Sequence, residues 1–222
     1  MNIENYPEKT IISFPFPMTC ISSAPFGGGI RKDVRTIANL TIPRNLKIPA
    51  DGMPSYCEEV LGYLDCVVDK SIALLTAVPQ IYFGQSKSGK CFATVGLGNA
   101  CKIIPDNVWD EASEKMILYS PGTINCVVEL NCNLSSSALV DAHGIAKIAI
   151  AEFVRGWSAF MNLPAYVGTP TDCVVLACLQ SGPEMKFAGL GTKIGADIVT
   201  MVNEAMTEAV LHKYPDFEIT DL

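Results

Sequence analysis

Five short segments of the chain combine glycine with hydroxyl or amide side chains: Ser22-Ser23-Ala-Pro-Phe-Gly27-Gly28-Gly29, Gly96-Leu-Gly98-Asn99, Gly122-Thr123-Ile-Asn125, Gly168-Thr169-Pro-Thr171-Asp172 and Gly189-Leu-Gly191-Thr192. Glycine lets a backbone come close to a partner. Turns of this kind can aim N–H groups, hydroxyls and amides at a bulky polar ligand, or at the oxyanion that develops when an acyl carbon is attacked. The same segments also read as ordinary turns, with Asp172 closing one of them through its own side chain. Residue types alone leave both readings open.

Other chemistries are poorly supplied. Gly84-Gln-Ser-Lys-Ser-Gly89-Lys90-Cys91 nearly spells a phosphate-binding loop, but Cys91 stands where a hydroxyl is required, and the segment runs into a strand pattern instead of a helix. Gly96-Leu-Gly98 is half of a dinucleotide fingerprint, without the third glycine or a following helix. The only histidines are His143 and His212, and no HExxH or paired-cysteine spacing accompanies them, so no protein-held metal is expected. A Ser/His/Asp triad would have to recruit one of those two histidines, and no Gly-x-Ser-x-Gly elbow is present. His143 follows Ala142 of an apolar stripe and reads either as a packing residue or as an acid/base group.

The composition narrows the partners. With 16 Lys and Arg against 23 Asp and Glu, the chain carries a net charge of −7, and no basic block offers itself to phosphate backbones. Nucleic acid is not expected, and no apolar run approaches the roughly 18 residues of a membrane span. Nine cysteines, an odd number without CxxC spacing, read as reduced core thiols of a cytoplasmic protein. A basic flank and apolar stretch of the signal-peptide type are missing from the first residues.

The elements that must position the glycine turns follow from periodicity. Strands are expected over Thr10 to Phe14, Met18 to Ser22 and Val34 to Leu40, a short helix from Met53 to about Asp65, and a buried strand over Ser71 to Val78. Ser86 to Gly89 should turn a hairpin between residues 81–84 and 91–95. Thr123 to Leu130 reads as a strand. After Asn133 or Ser135 as cap comes a long helix with the stripe Ala138, Ala142, Ile145, Ala149 and Phe153. Cys173 to Leu179 suits a strand covered on both faces, and a second long helix carries Ile194, Ile198, Val202, Ala205 and Ala209. These elements add up to an α/β or α+β protein, a single domain over residues 1–222 in which mixed β-sheet is covered by two long helices in a layered sandwich. The acidic tail after Pro215 is expected to be loose.

Taken in series, Ser22 to Gly29, Thr76-Ala77, Gly96 to Ala100, Gly122 to Asn125, Ala146-Lys147, Gly168 to Asp172 and Gly189 to Gly195 make the chain resemble the adenosylcobinamide amidohydrolase family over about residues 18 to 210. Pro170 at the middle of Gly-Thr-x-Thr-Asp, and the apolar residue before Ala146-Lys147 where the family usually has an acidic one, are departures from its pattern. The resemblance implies corrinoid salvage: hydrolysis of the amide between the aminopropanol arm and the corrin ring, giving adenosylcobyric acid and aminopropanol. It implies a corrinoid substrate that brings its own cobalt, and no cofactor held by the protein.

For such a reaction Asp172 is the expected general base for water, or the group that orients a hydroxyl nucleophile from Thr171 or Thr169. Lys147 would stabilise the oxyanion or protonate the leaving amine. Ser22, Ser23, Gly27, Gly28, Asn99, Thr123, Asn125 and Thr192 would bind the substrate's amides, with Phe26 or Trp109 against the macrocycle. The other reading is a corrinoid carrier that binds without hydrolysing. A homo-oligomer is a fair expectation, because closed homo-oligomers are common among soluble enzymes.

Overall fold

A computed structural model describes residues 2–43, 52–103 and 122–213. In chain order the elements are β1 (Asn2–Tyr6), β2 (Lys9–Ser22), β3 (Gly29–Thr41), α1 (Met53–Tyr63), β4 (Ser71–Thr76), β5 (Tyr82–Gln85), β6 (Gly89–Val95), β7 (Ile124–Leu130), β8 (Asn133–Leu134), α2 (Ser136–Phe160), β9 (Cys173–Cys178), β10 (Glu184–Met185) and α3 (Lys193–Lys213). Eight strands form one mixed sheet in the order β4-β3-β2-β9-β7-β6-β5, with β1 added to β2. Two parallel crossovers build it, β3-α1-β4 and β7-α2-β9, each with the helix that parallel neighbours require.

The two expected strands around Phe14-Pro15-Phe16-Pro17 are one 14-residue strand. Proline has no N–H to give a ladder, so the β2–β3 pairing shifts register between Ser13 and Met18. On either side of that irregularity β2 serves different neighbours. Lys9 to Ser13 pairs with β1, and Thr19 to Ser22 pairs with β9. The sheet thereby doubles over, and Ile12, Ile37, Ile72 and Leu74 from one half meet Phe92, Val127 and Val175 from the other in a buried inner core.

Strand β9 shows why its sequence is apolar throughout. Val174, Leu176 and Cys178 face the helices, whereas Cys173, Val175 and Ala177 face the inner core. The stripes expected on α2 and α3 are buried against β6, β7 and β9, with Phe153 fully enclosed. Ser135 is the cap of α2, its hydroxyl accepting the Ala138 N–H at 3.2 Å. On the outer face of β3 and β4, Cys57 and Leu61 of α1 join Ala38, Leu40 and Ala73. From outside to outside the layers are α2 and α3, sheet, sheet, and α1, the layered sandwich anticipated from the sequence.

The hairpin glycines act in packing. A Cβ on Gly84 would run into the Met201 carbonyl of α3, so only glycine lets that helix lie this close to strand β5. The Glu204 and Glu208 carboxylates of α3 then accept the Gln85 and Phe83 N–H groups at 2.8 and 2.9 Å. All nine cysteines are free thiols, and six of them are buried. Among the described residues no helix is long and apolar enough to cross a membrane. Trp109 and the acidic tail lie outside the described residues.

Candidate functional site

Most of the singled-out turns converge at one end of the folded sheet, where β6 and β2 end and β7 and β9 begin. The Thr169–Asp172 loop lies beside Gly122-Thr123-Ile124. Thr123 Oγ1 donates to the Thr171 carbonyl at 3.0 Å, and Thr171 Oγ1 donates to Thr123 Oγ1 at 3.0 Å. Across from them Asn99 packs on Gly122, where a Cβ would strike its amide. The Cys101 N–H donates to the Gly168 carbonyl at 2.8 Å and fixes that same loop.

Asp172 is held by three donors. Oδ1 accepts the Ile124 N–H at 2.8 Å and the Thr169 hydroxyl, and Oδ2 accepts the Thr169 N–H at 2.7 Å. A carboxylate offers about four lone-pair positions, so Oδ2 keeps one for a further donor. Burial pushes the Asp172 carboxyl above its ordinary 3.8, against the pull of the Thr169 and Ile124 donors and of the Lys147 charge. The side chain is thus both the turn-closing group and a carboxylate that holds a proton more readily than a solvated one.

Lys147 reaches this loop from the middle of α2. Its Nζ donates to the Asp172 carbonyl at 2.8 Å, and Ala146 and Ile145 beside it are buried in the core, which anchors the stem. His143 precedes it by one turn. Burial, and then the Lys147 charge, hold the imidazole below its ordinary 6.5 against a hydrogen bond to the Val174 carbonyl. Its Nε2 is buried and has no partner among the described residues. Cys173 is no ready nucleophile, because burial pushes its thiol up to about 11.

Ser22 and Ser23 stand at the β2 side of the cluster. Ser23 Oγ accepts the Val174 N–H at 3.1 Å, and Ser22 Oγ accepts the Ala24 N–H at 3.0 Å. Gly27 and Gly28 turn on toward β4, where Gly27, at φ 69°, lies against the Ser71 carbonyl. Phe26 does not stand open to a ring: it bridges to Ala73 and packs into the α1 cluster.

Thr192 is elsewhere. It caps α3, accepting the Gly195 N–H at 3.1 Å, and α3 starts where Asp197 meets Ser88, beyond the first residue of β6. The cluster adjoins the last residue of β6, about 20 Å away at 3.3 Å per strand residue.

Sequence reasoning missed a second polar layer beneath the first. Asn125 Nδ2 donates to Asn39 Oδ1 at 2.7 Å and to the Leu75 carbonyl at 2.9 Å, and Asn39 Nδ2 donates to Thr94 Oγ1 at 3.2 Å. The Thr76 hydroxyl lies 3.5 Å from that of Thr94. Asn125 is 2% exposed, and its Oδ1 has no partner among the described residues. The available signal was Asn39 itself, an amide inside the strand run Ile37-Ala38-Asn39-Leu40, where asparagine is disfavoured. No group of three or more His, Cys, Asp or Glu able to hold a metal occurs among the described residues.

Fold and site together describe a layered α/β protein with a lysine, a half-buried carboxylate and hydroxyls gathered at one sheet end. The family model of adenosylcobinamide amidohydrolase matches residues 1–216, and the chain belongs to that family. A curated relative from Halobacterium salinarum, named adenosylcobinamide amidohydrolase, is 29% identical over 142 residues, which cover 62% of this chain and 58% of the relative. The match thus spans under two thirds of the relative's length. A crystal structure of the PH0078 protein from Pyrococcus horikoshii aligns with 95% of this chain and 79% of its own, at a TM-score of 0.46 and 12% identity.

Proposed function

We propose that the protein hydrolyses the amide that joins the aminopropanol arm of adenosylcobinamide to the corrin ring, releasing adenosylcobyric acid and aminopropanol in corrinoid salvage. The observation that carries this reading is the placement of Lys147 Nζ 2.8 Å from the Asp172 carbonyl, on the same loop as a carboxylate with one lone pair to spare. Family membership supplies the reaction class. The cobalt travels with the substrate.

In this reading Asp172 Oδ2 takes a proton from water as the water oxygen bonds to the amide carbon. The carbonyl oxygen gathers negative charge, which the Lys147 ammonium stabilises, and Thr171 can add its hydroxyl only by turning it away from Thr123 Oγ1. Collapse breaks the C–N bond, and the proton held on Asp172 passes to the departing amine. Thr169 orients the carboxylate with its hydroxyl and N–H. Asn99, Thr123, Ser22, Ser23 and the Gly27-Gly28 backbone form the surround that would bind corrin side-chain amides, while Asn125, 2% exposed and bonded to Asn39, supports them from beneath instead of touching substrate. Thr192, at the other end of the sheet, has no part in it.

The test is incubation of the purified protein with adenosylcobinamide, with the corrinoid followed by mass and charge. Adenosylcobyric acid with an equal amount of free aminopropanol is the expected result. Unchanged adenosylcobinamide that co-elutes with the protein would identify a carrier and overturn the reading.

A further inference from the structure

Two pairs of cysteines approach within reach of one another, and neither belongs to the cluster around Asp172. Cys91 and Cys126, on β6 and β7, have their sulfurs 3.4 Å apart. Cys132, just past β7, and Cys178, the last residue of β9, have theirs 4.0 Å apart. The second pair is held by backbone on both sides. Leu130 lies opposite Cys178 in the parallel β7–β9 ladder, and the Gln180 N–H donates to the Cys132 carbonyl at 2.9 Å.

We propose that Cys132 and Cys178 are a modification site at which a peroxide converts the two thiols to a disulfide, while the closer pair Cys91–Cys126 stays reduced. Access distinguishes them. Cys91 and Cys126 are 0% and 1% exposed under the helices, whereas Cys132 is only half-buried. A disulfide bond is about 2.05 Å long, so the Cys132 and Cys178 sulfurs need to close by about 2 Å, a rotation of side chains at a strand end.

Within the pair the two thiols are held in opposite directions. The Cys132 S–H, helped by backbone groups of Gln180, Leu134 and Cys132, brings the Cys178 thiol down to about 7 against the effect of burial. The Cys91 thiol is pushed the other way by Cys126 and by complete burial. A thiolate is the reactive form. The Cys132 thiol is pushed up by its hydrogen bond to Cys178 and by burial, so thiolate character sits on Cys178 and access to solvent on Cys132.

The step balances. The Cys132 sulfur attacks a peroxide oxygen, water leaves, and a sulfenic acid forms. The Cys178 sulfur then bonds to the Cys132 sulfur, and the sulfenic hydroxyl leaves as water with the remaining thiol proton. Two thiols lose two electrons and two protons, and hydrogen peroxide becomes two waters. The bridge would staple the far ends of β7 and β9, about 20 Å along the chain direction of β9 from Asp172 at 3.3 Å per residue.

The experiment exposes the full chain to hydrogen peroxide, then denatures it and alkylates the remaining thiols. Digestion after Glu129 separates Cys126 from Cys132, and fragment-ion sequencing tells Cys178 from Cys173. Free thiols are expected to fall by two from nine, with a Cys132–Cys178 link that a dithiol reductant reverses and that Cys132→Ser abolishes. Full alkylation of Cys132 and Cys178, conversion of Cys132 to sulfinic acid without a link, or a Cys91–Cys126 bridge would each overturn the proposal.

Discussion

Replacing Asp172 by Asn separates the two tasks its carboxylate performs. The amide keeps one acceptor oxygen, which can stay at the Oδ1 position and serve the Ile124 N–H and the Thr169 hydroxyl. Its NH2 then occupies the Oδ2 position and faces the Thr169 N–H, donor against donor. One half-buried N–H without a partner costs about 1–3 kcal/mol. For a chain of this size each kcal/mol lowers Tm by about 2–4 °C, so a drop of about 2–12 °C is expected. Turnover should fall at least about 10²-fold, because an amide cannot take the water proton. Differential scanning fluorimetry and corrinoid product analysis, run on one preparation, read both effects. A folded Asp172→Asn protein with near-normal turnover would refute the role as base, and an unchanged Tm would refute the three-donor account of the loop.

Three further predictions concern the same architecture. The base is the ionised carboxylate, so kcat/KM should fall as pH drops through its pKa; burial holds that pKa above 3.8, which puts the acid limb above 3.8 in a pH–rate profile, and a limb at or below 3.8 would contradict it. Gly84→Ala puts a methyl into the Met201 carbonyl and forces α3 away from β5, which should cost about 1–3 kcal/mol of unfolding free energy and lower the chemical denaturation midpoint, whereas an unchanged midpoint would show that the helix has room. Asn39→Leu removes the acceptor of Asn125 Nδ2 and the donor to Thr94, and a loss of about 1–3 kcal/mol is expected from the stranded polar groups; a variant as stable as the parent would mean that water replaces the bonds at no cost.

Much of this layout is legible in the residues themselves. The alanine-rich stripe of α2 and the five-residue stripe of α3 identify the helices and their buried faces, because 3.6-residue periodicity survives in any context. The all-apolar β9 announces a strand with cover on both sides. What periodicity cannot express is the doubling of the sheet at Phe14 to Pro17, since the pairing of β2 with β1 on one side of the irregularity and with β9 on the other involves residues about 160 positions apart in the chain. The same nonlocal closure hid the Asn39–Asn125–Thr94 layer, whose members come from three strands. At the site, the glycine turns singled out for their hydroxyls and amides include Asn99, Thr123, Thr169, Thr171 and Asp172, which the fold brings to one sheet end. Thr192 came from the same pattern with two readings, ligand contact or cap of the last helix, and its hydroxyl accepts the Gly195 N–H as a cap does, because a Gly-x-Gly-Thr turn before a helix serves capping as readily as ligand contact. Phe26, an aromatic beside glycines, was drawn into the α1 core by the burial of its ring.

Oxygen tracing during turnover tests the central account most directly. Wild-type protein and Lys147→Met, each shown to be folded, would be given adenosylcobinamide in water enriched in oxygen-18. The account predicts adenosylcobyric acid carrying one heavy oxygen in its new carboxyl group from the wild type, and a rate at least about 10² lower from Lys147→Met, the size of effect that loss of one oxyanion-stabilising group produces. Heavy-oxygen product formed equally fast by Lys147→Met, or adenosylcobinamide retained intact by the wild type, would contradict it.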